Sequence, residues 1–371
     1  MRIGQVSHRY LPSIGGIENY VYRLSRDLSR RGHEVEIFTT TPSAISSPPG
    51  VAVHSVRTIP GFDRNPIPVG LHKQLQLSKL DIVHFHSPWY LTSILPLLHD
   101  TPRAVMTVHG LLPKRRSIGR DYALGLLYLP ALTAIQRCSV VIALTSSEQR
   151  EVMRMFGIPS ARLHKIPNGV DADCCSNAGR AREDPPQDGT ARLLSVGRAS
   201  KDSRVRLAVE AFLGLHELMP GSTFTLAGPG TDMLLRDIYP NLPPGSRGSI
   251  KGLGTVPKST LCELYSSHDV FVSLGTWEGL PTRVLEAMLH GCVPVVSDSG
   301  GISDLVSDHE NGIVLRETSP VSVLAAIARL VTDPALLATM RNAAKKTVAE
   351  RFLWSQVFAE IVALYEQTGG L

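Results

Sequence analysis

The 371-residue chain has no apolar run long enough to cross a bilayer. Its longest, Tyr122 to Ile135, spans about 14 residues and contains Pro130, against roughly 20 for a membrane helix. The opening residues Met1 to His8 lack an apolar h-region and a small-residue cleavage site, so they read as a strand and not as a signal peptide. Cysteine is scarce. Cys138, Cys174, Cys175, Cys262 and Cys292 are an odd number with no Cys-x-x-Cys pair, which speaks against both a zinc site and a disulfide framework. The expected compartment is therefore a reducing cytosol. There is no low-complexity tract, no obvious repeat, no Gly-x-Gly-x-x-Gly and no Gly-Lys-Ser/Thr. Disordered, nicotinamide-cofactor and P-loop readings lose support accordingly.

What is present is a globular composition, 43% hydrophobic and 19% charged, in a chain too long for one ordinary core. The net charge of +5 is unevenly shared: residues 1–180 carry +9 and the remainder −4. A basic first half suits an anionic surface partner, and solvated charge accounts for it equally well. Strands alternate with helices throughout. Strands are expected at Ile3–Val6, Glu34–Thr39, Asp81–Phe85, Ala104–Val108 and Val140–Leu144. After a polar, Gly- and Pro-rich stretch they resume at Arg192–Val196, Thr223–Ala227, Asp269–Ser273 and Val293–Ser297. In the helix from Gly16 to Arg31, Ile17, Tyr20, Val21, Leu24 and Leu28 make one buried stripe. The pattern predicts an α/β chain with two doubly wound Rossmann-like domains facing across a cleft: 1–172, a linker 173–190, and 191–350. A C-terminal helix, 351–371, is free to pack back on the first domain.

Ligands of such folds bind beyond the carboxyl ends of the strands, so those loops carry the candidate residues. Gly15-Gly16 opens the first helix and lets backbone N–H groups approach a phosphate; alone, it reads more readily as a tight turn. Gly197-Arg198 follows the first strand of the second half, and Arg198, Lys201 and Arg204 concentrate positive charge suited to a diphosphate. The third string is Thr276-Trp277-Glu278-Gly279-Leu280-Pro281-Thr282-Arg283-Val284-Leu285-Glu286-Ala287-Met288. Pro281 suits the first helical position, which leaves Glu278 in the preceding loop and Glu286 about 7 Å along the helix axis. The free N–H groups of Thr282 and Arg283 make an anion site. The two carboxylates are spaced to grip a sugar and a ribose.

Glu-x7-Glu within Glu278-Gly-Leu-Pro-Thr-Arg-Val-Leu-Glu286 resembles family 4 of the retaining glycosyltransferases, which have the GT-B fold. Further matches fall in order along nearly the whole chain: Gly15-Gly16-Ile17-Glu18, Asp81-Ile-Val-His-Phe-His86, Val108-His109-Gly110, Thr145-Ser-Ser-Glu148, Ile166-Pro-Asn-Gly-Val-Asp171, Gly197-Arg198 and Ser299-Gly-Gly-Ile302. The resemblance implies transfer of a sugar from a nucleoside-diphosphate sugar to an acceptor hydroxyl, with retention and without metal or other cofactor. The first domain would be the acceptor side and the second the donor side. The resemblance gives Glu278 the donor sugar, Glu286 the ribose, Arg198 and a nearby cation the diphosphate, and Gly15-Gly16 a closing contact. Gly279, Leu280, Pro281 and Thr282 complete the donor string, and His109 stands near the transferred sugar and acceptor. Family members commonly place a Lys five residues after the Arg, where Ser203 stands here. Arg204, ahead of Lys201, is the expected substitute. Asp171-Ala172-Asp173 mimics a metal-binding Asp-x-Asp and is discounted, because it lies in a hinge.

Two rivals keep the fold: a nucleotide-sugar 2-epimerase and a non-catalytic nucleotide-sugar binder. A third is a metal-dependent transferase using Asp171 and Asp173. The basic cluster Lys114-Arg115-Arg116 and Arg120, beside Tyr122–Ile135, fits an anionic membrane surface and a lipid-linked acceptor, and a core helix with a solvated basic loop accounts for it equally well. That would make the protein cytoplasmic, with peripheral attachment to the inner face of the membrane. No nucleic-acid partner is expected.

Overall fold

The structure is a computed structural model and describes residues 1–13, 15–42, 47–62, 65–101, 103–110, 129–172, 190–276 and 279–369. The chain divides into two compact units, Met1–Pro167 with Val357–Leu371, and Asn168–Gln356.

The first unit is built on seven parallel strands: β1 (Arg2–Ser7), β2 (Glu34–Thr39), β3 (Val51–Ser55), β6 (Ile82–His86), β7 (Ala104–Thr107), β8 (Val140–Ala143) and β9 (Leu163–Lys165). Their order across the sheet is β3-β2-β1-β6-β7-β8-β9. A small antiparallel hairpin, β4 (Thr58–Phe62) and β5 (Asn65–Pro68), stands apart from it. The inner strands are buried on both faces, as parallel strands covered by helices must be, with every residue of β6, β7 and β8 buried, His84, His86 and Thr107 among them. Covering helices include α1 (Gly16–Arg30), α2 (Leu71–Leu77), α3 (Leu91–Leu97) and α4 (Ser146–Phe156). The stripe read from the sequence holds in α1, where Tyr20, Val21, Leu24 and Leu28 are buried and Ile17 is half-buried. Thr145 caps α4 by accepting the N–H of Glu148.

The second unit repeats the plan with six parallel strands in the order β12-β11-β10-β13-β14-β15. These are β10 (Arg192–Val196), β11 (Thr223–Ala227), β12 (Ile250–Gly252), β13 (Val270–Ser273), β14 (Val293–Ser297) and β15 (Ile313–Leu315). Its helices include α5 (Val205–Leu218), α6 (Thr231–Ile238), α7 (Lys258–Ser267), α8 (Thr282–Leu289), α9 (Pro320–Val331) and α10 (Pro334–Arg351). Phe212 of α5 packs on Phe224 of β11 with ring centroids 5.5 Å apart, in a core shared with Val270, Val293 and Ile327. Each such fully buried side chain contributes about 1.5–3 kcal/mol. The buried Asp269 carboxylate is satisfied by Arg192 at 2.8 Å and Arg341 at 3.1 Å. After α10 the last helix, α11 (Trp354–Gly369), carries the chain back into the first unit from Val357 onward.

Both sheets have a point where strand order reverses, between β1 and β6 and between β10 and β13, and that is where open α/β sheets leave a ligand crevice. The two Rossmann-like units expected from the sequence are present. Cys138 and Cys292 are buried free thiols, but Cys262 is disulfide-bonded, contrary to the expectation drawn from the odd cysteine count. No single helix among the described residues is long and apolar enough to cross a membrane.

Candidate active site

The reversal point of the second sheet holds a pocket of about 250 Å3. Its floor comes from the ends of β10 and β13, at Ser195–Arg198 and Ser273–Gly275, with Ser200, Asp202 and Ser203 on one side and Arg283 on the other. The floor requires glycine. Gly197 has φ +148°, and a Cβ on Gly228 would stand 2.3 Å from the Gly197 carbonyl oxygen. The rim loops are tied together: Thr276 N–H donates to the Asp202 carbonyl at 3.0 Å, and the Ser297 hydroxyl donates to that of Gly275 at 2.6 Å.

Two guanidinium groups line the pocket. Arg198, read from the sequence, is exposed; Arg283, passed over as a side chain, is half-buried and donates to Ser273 Oγ at 3.3 Å. Lys201 and Arg204 do not line it. Arg204 precedes the helix that follows it and is not part of it. Lys201–Ser203 form a 3-10 turn closed by the reciprocal Ser200–Ser203 cap, and α5 begins only at Val205. Arg204 is the residue between, the N-cap of α5, left-handed at φ 51° and beside the positive end of that helix.

Pro281 is the residue before α8 and not its first helical position, being extended with ψ 108°. The N–H groups of Thr282 and Arg283 still open the helix, as a half-charge of positive sign next to the two guanidinium groups. The loop ahead of them is held at both carbonyls. Gly279 accepts from Gly301 N–H at 3.0 Å, and Leu280 accepts from the Asn168 side chain at 3.0 Å. Glu278 lies outside the described residues. Glu286 is on α8, half-buried and ion-paired with Lys258 at the start of α7. Burial, and after it the charge of Glu286, push the neighbouring Tyr265 phenol well above its ordinary range.

In the first unit Gly15 caps α1 with extended backbone, and the Glu18 carboxylate folds over it: a Cβ there would meet Glu18 Oε2 at 2.2 Å. Gly16 is exposed and open around its Cα. His109 ends the loop after β7 in a left-handed conformation, φ 54°, followed by Gly110 at φ 100°. The buried Glu148 carboxylate holds this turn, accepting the N–H groups of Gly110 and Leu144 at 2.6 Å each. His109 Nε2 lies 2.9 Å from His86 Nδ1. Burial lowers both His109 and His84 to about 3, and His86 well below its ordinary value, so all three rings are neutral at pH 7. Lys114, Arg115, Arg116, Arg120 and Asp173 lie outside the described residues.

The sequence reading missed Arg283, Lys258, Gln5 and Tyr365. Arg283 stood inside the third string and was read only for its backbone. The others carry no local signal, because each acts on a residue brought to it by the fold.

Comparison with known proteins covers both units. The family described as Glycosyltransferase Family 4 matches residues 14–173, and Glycosyl transferases group 1 matches residues 180–347. The chain is 28% identical to an uncharacterized glycosyltransferase of Methanocaldococcus jannaschii, over 99% of this chain and 98% of the relative. It is 27% identical to a glycogen synthase of Mycobacterium tuberculosis, over 98% and 94%. Among solved structures, Anabaena HepE in complex with UDP-glucose superposes with a TM-score of 0.77 at 16% identity, covering 99% of this chain and all of that one.

Proposed function

The chain belongs to the GT-B glycosyltransferases of the family 4 and group 1 type, and on that footing we propose that it moves a sugar from a nucleoside-diphosphate sugar to an acceptor hydroxyl with retention of configuration and without a metal ion. The observation that carries this reading is the pocket at the β10/β13 reversal, where Arg198, Arg283 and the open end of α8 converge. In the reaction the bond from the anomeric carbon to the β-phosphate oxygen breaks. The acceptor oxygen bonds to that carbon from the same face, and its proton passes to the departing phosphate. Negative charge grows on the diphosphate as the bond lengthens, and fixed cations in a pocket stabilise it where it develops. Glu286 serves the ribose hydroxyls, Glu278 the donor sugar, and His109 the transferred sugar and acceptor. Products formed from donor and acceptor, and their absence with donor alone, test transfer against epimerisation.

Turnover is expected to survive excess EDTA, since Arg198 and Arg283 both line the pocket and can neutralise a diphosphate there without a metal. Activity lost to chelator and restored by manganese would overturn metal independence. The carboxylates separate by readout. Glu286→Ala should weaken UDP binding about tenfold, the cost of a charge-assisted hydrogen bond. Glu278→Ala should lower kcat far more than it changes UDP affinity. Equal UDP affinity in wild type and both variants contradicts the assignment.

The acceptor side of the reading includes a membrane. Lys114, Arg115, Arg116 and Arg120 precede an apolar segment, and each basic residue near an anionic leaflet adds about 1 kcal/mol. Salt-sensitive co-sedimentation with phosphatidylglycerol vesicles is the expected result, in keeping with a lipid-linked acceptor. Sedimentation indifferent to lipid charge removes the membrane from the proposal.

A further inference from the structure

A line of hydrogen bonds crosses the interior of the first unit from His109 to the C-terminal helix and back. His109 Nε2 meets His86 Nδ1 at 2.9 Å, and His86 Nε2 meets Gln5 Oε1 at 2.8 Å. Gln5 Nε2 donates to the Tyr365 hydroxyl at 3.2 Å, and that hydroxyl meets His84 Nδ1 at 2.5 Å. His84 Nε2 meets Thr107 Oγ1 at 2.7 Å, and Thr107 in turn bonds Tyr20. Gln5, His84, His86, Thr107 and Tyr365 are fully buried. They come from β1, β6, β7 and α11, so the line exists only once the sheet and the last helix are assembled.

The line has a direction. A carboxamide oxygen only accepts, so His86 must carry its proton on Nε2. A neutral imidazole has one donor and one acceptor, so His86 Nδ1 is bare and His109 must donate to it through Nε2–H. At the other end the Gln5 amide donates to Tyr365, whose own proton goes to His84 Nδ1. His84 then donates through Nε2–H to Thr107. Turning the Gln5 amide over would reverse every one of these bonds and put the His109 proton on Nδ1. Two polarities of one network are available, and the Gln5 amide as it stands, oxygen toward His86 and nitrogen toward Tyr365, selects the first; Tyr365 relays that choice to His84 by accepting from Gln5 and donating to His84 Nδ1.

We infer that Tyr365, together with Gln5, is a positioning residue for His109, holding that imidazole as the Nε2–H tautomer and leaving Nδ1 as a hydrogen-bond acceptor. Among the described residues no protein group bonds His109 Nδ1, so this lone pair is the one the ring offers to a ligand. Its partner must then be a donor, such as a sugar hydroxyl, and not a carboxylate or phosphate oxygen. This last step rests on the proposed role of His109; the tautomer does not.

The test is nitrogen NMR of the full-length protein labelled with 15N-histidine, with His109 assigned by loss of its signals in His109→Gln. The expected spectrum shows His109 with an unprotonated Nδ1 and a protonated Nε2 throughout pH 6–8. Tyr365→Phe removes one donor and one acceptor, and His109 should then divide between tautomers. With a donor and acceptor found by product analysis, kcat should fall about three- to tenfold, the worth of one hydrogen bond. The UDP dissociation constant should stay unchanged. Thr107→Val, at a strand position that favours valine, repeats the test should Tyr365→Phe not fold, and Thr107→Ser should restore the wild-type spectrum. A wild-type His109 protonated on Nδ1 overturns the inference. So do Tyr365→Phe or Thr107→Val with tautomer and kcat both unaltered. If the tautomer is as stated but His109→Ala turns over normally, the proposed role of His109 fails and the network stands.

Discussion

Arg283→Ala should raise the dissociation constant of the nucleoside diphosphate by about ten- to hundredfold. The guanidinium lines the pocket, is half-buried, and is steadied by Ser273 at 3.3 Å, so it meets a diphosphate with little further ordering. A lost charged hydrogen bond costs about 1.5–3 kcal/mol, and each 1.4 kcal/mol is tenfold in affinity. Arg198 also lines the pocket but is exposed, so water and salt screen it, and Arg198→Ala should cost about tenfold or less. Lys201→Ala should cost under about threefold, as an exposed ammonium outside the pocket. Arg204→Ala should rank below both pocket arginines, because its left-handed backbone sets it between the 3-10 turn and α5 and outside the lining. Arg283→Lys should recover only part of the loss, since an ammonium cannot make the two-pronged contact. Calorimetric titrations with UDP, ADP and GDP in turn would rank the variants. An Arg283→Ala protein that binds as tightly as wild type removes Arg283 from the donor site and returns the question to Arg204.

The contrast between Arg204 and Arg283 shows what kind of information the sequence carried. Strand β10 and its loop were legible because an apolar run ends in a glycine followed by basic residues, a local pattern. The α8 string was legible for the same reason: a proline before a helix and two carboxylates at fixed spacing. Which cation joins Arg198 is not local. It depends on β10 and β13 lying side by side, which brings Arg283, 86 positions further along the sequence, against Gly197, within 3.7 Å of where its Cβ would be. Short edge strands were also missed. β9, β12 and β15 have three residues each, too few to show a period, and β4–β5 carries Pro60, Pro66 and Pro68, which read as loop.

The neutral histidines make a second large effect, on stability. His84 and His86 are fully buried, and burial holds the first at about 3 and the second well below its ordinary value. His109, His84 itself and the Tyr20 and Tyr365 phenols surround them, and none of these supplies a negative charge at pH 7 to stabilise an imidazolium. In the unfolded chain the same histidines protonate as pH falls below about 6.5. The unfolded state then binds more protons than the folded one, so stability is complete above pH 6.5 and declines below it. Each histidine contributes a slope of about 1.4 kcal/mol per pH unit, so His84, His86 and His109, which is held at about 3 as well, together remove about 4 kcal/mol from the first unit between pH 6 and pH 5. Glu148 acts in the opposite sense, since burial raises its carboxyl, but only lower, toward the carboxylate range. Hydrogen exchange of the β6 and β7 amides, corrected for intrinsic rates, reports the first unit by itself. Protection factors should fall about a thousandfold over that unit of pH. His84→Gln should reduce the slope by about a third on a logarithmic scale even if it lowers protection at every pH. Protection independent of pH between 7.5 and 5 would mean that these imidazoles take up protons in the folded protein, and with that the neutral line from His109 to Tyr365 would not exist.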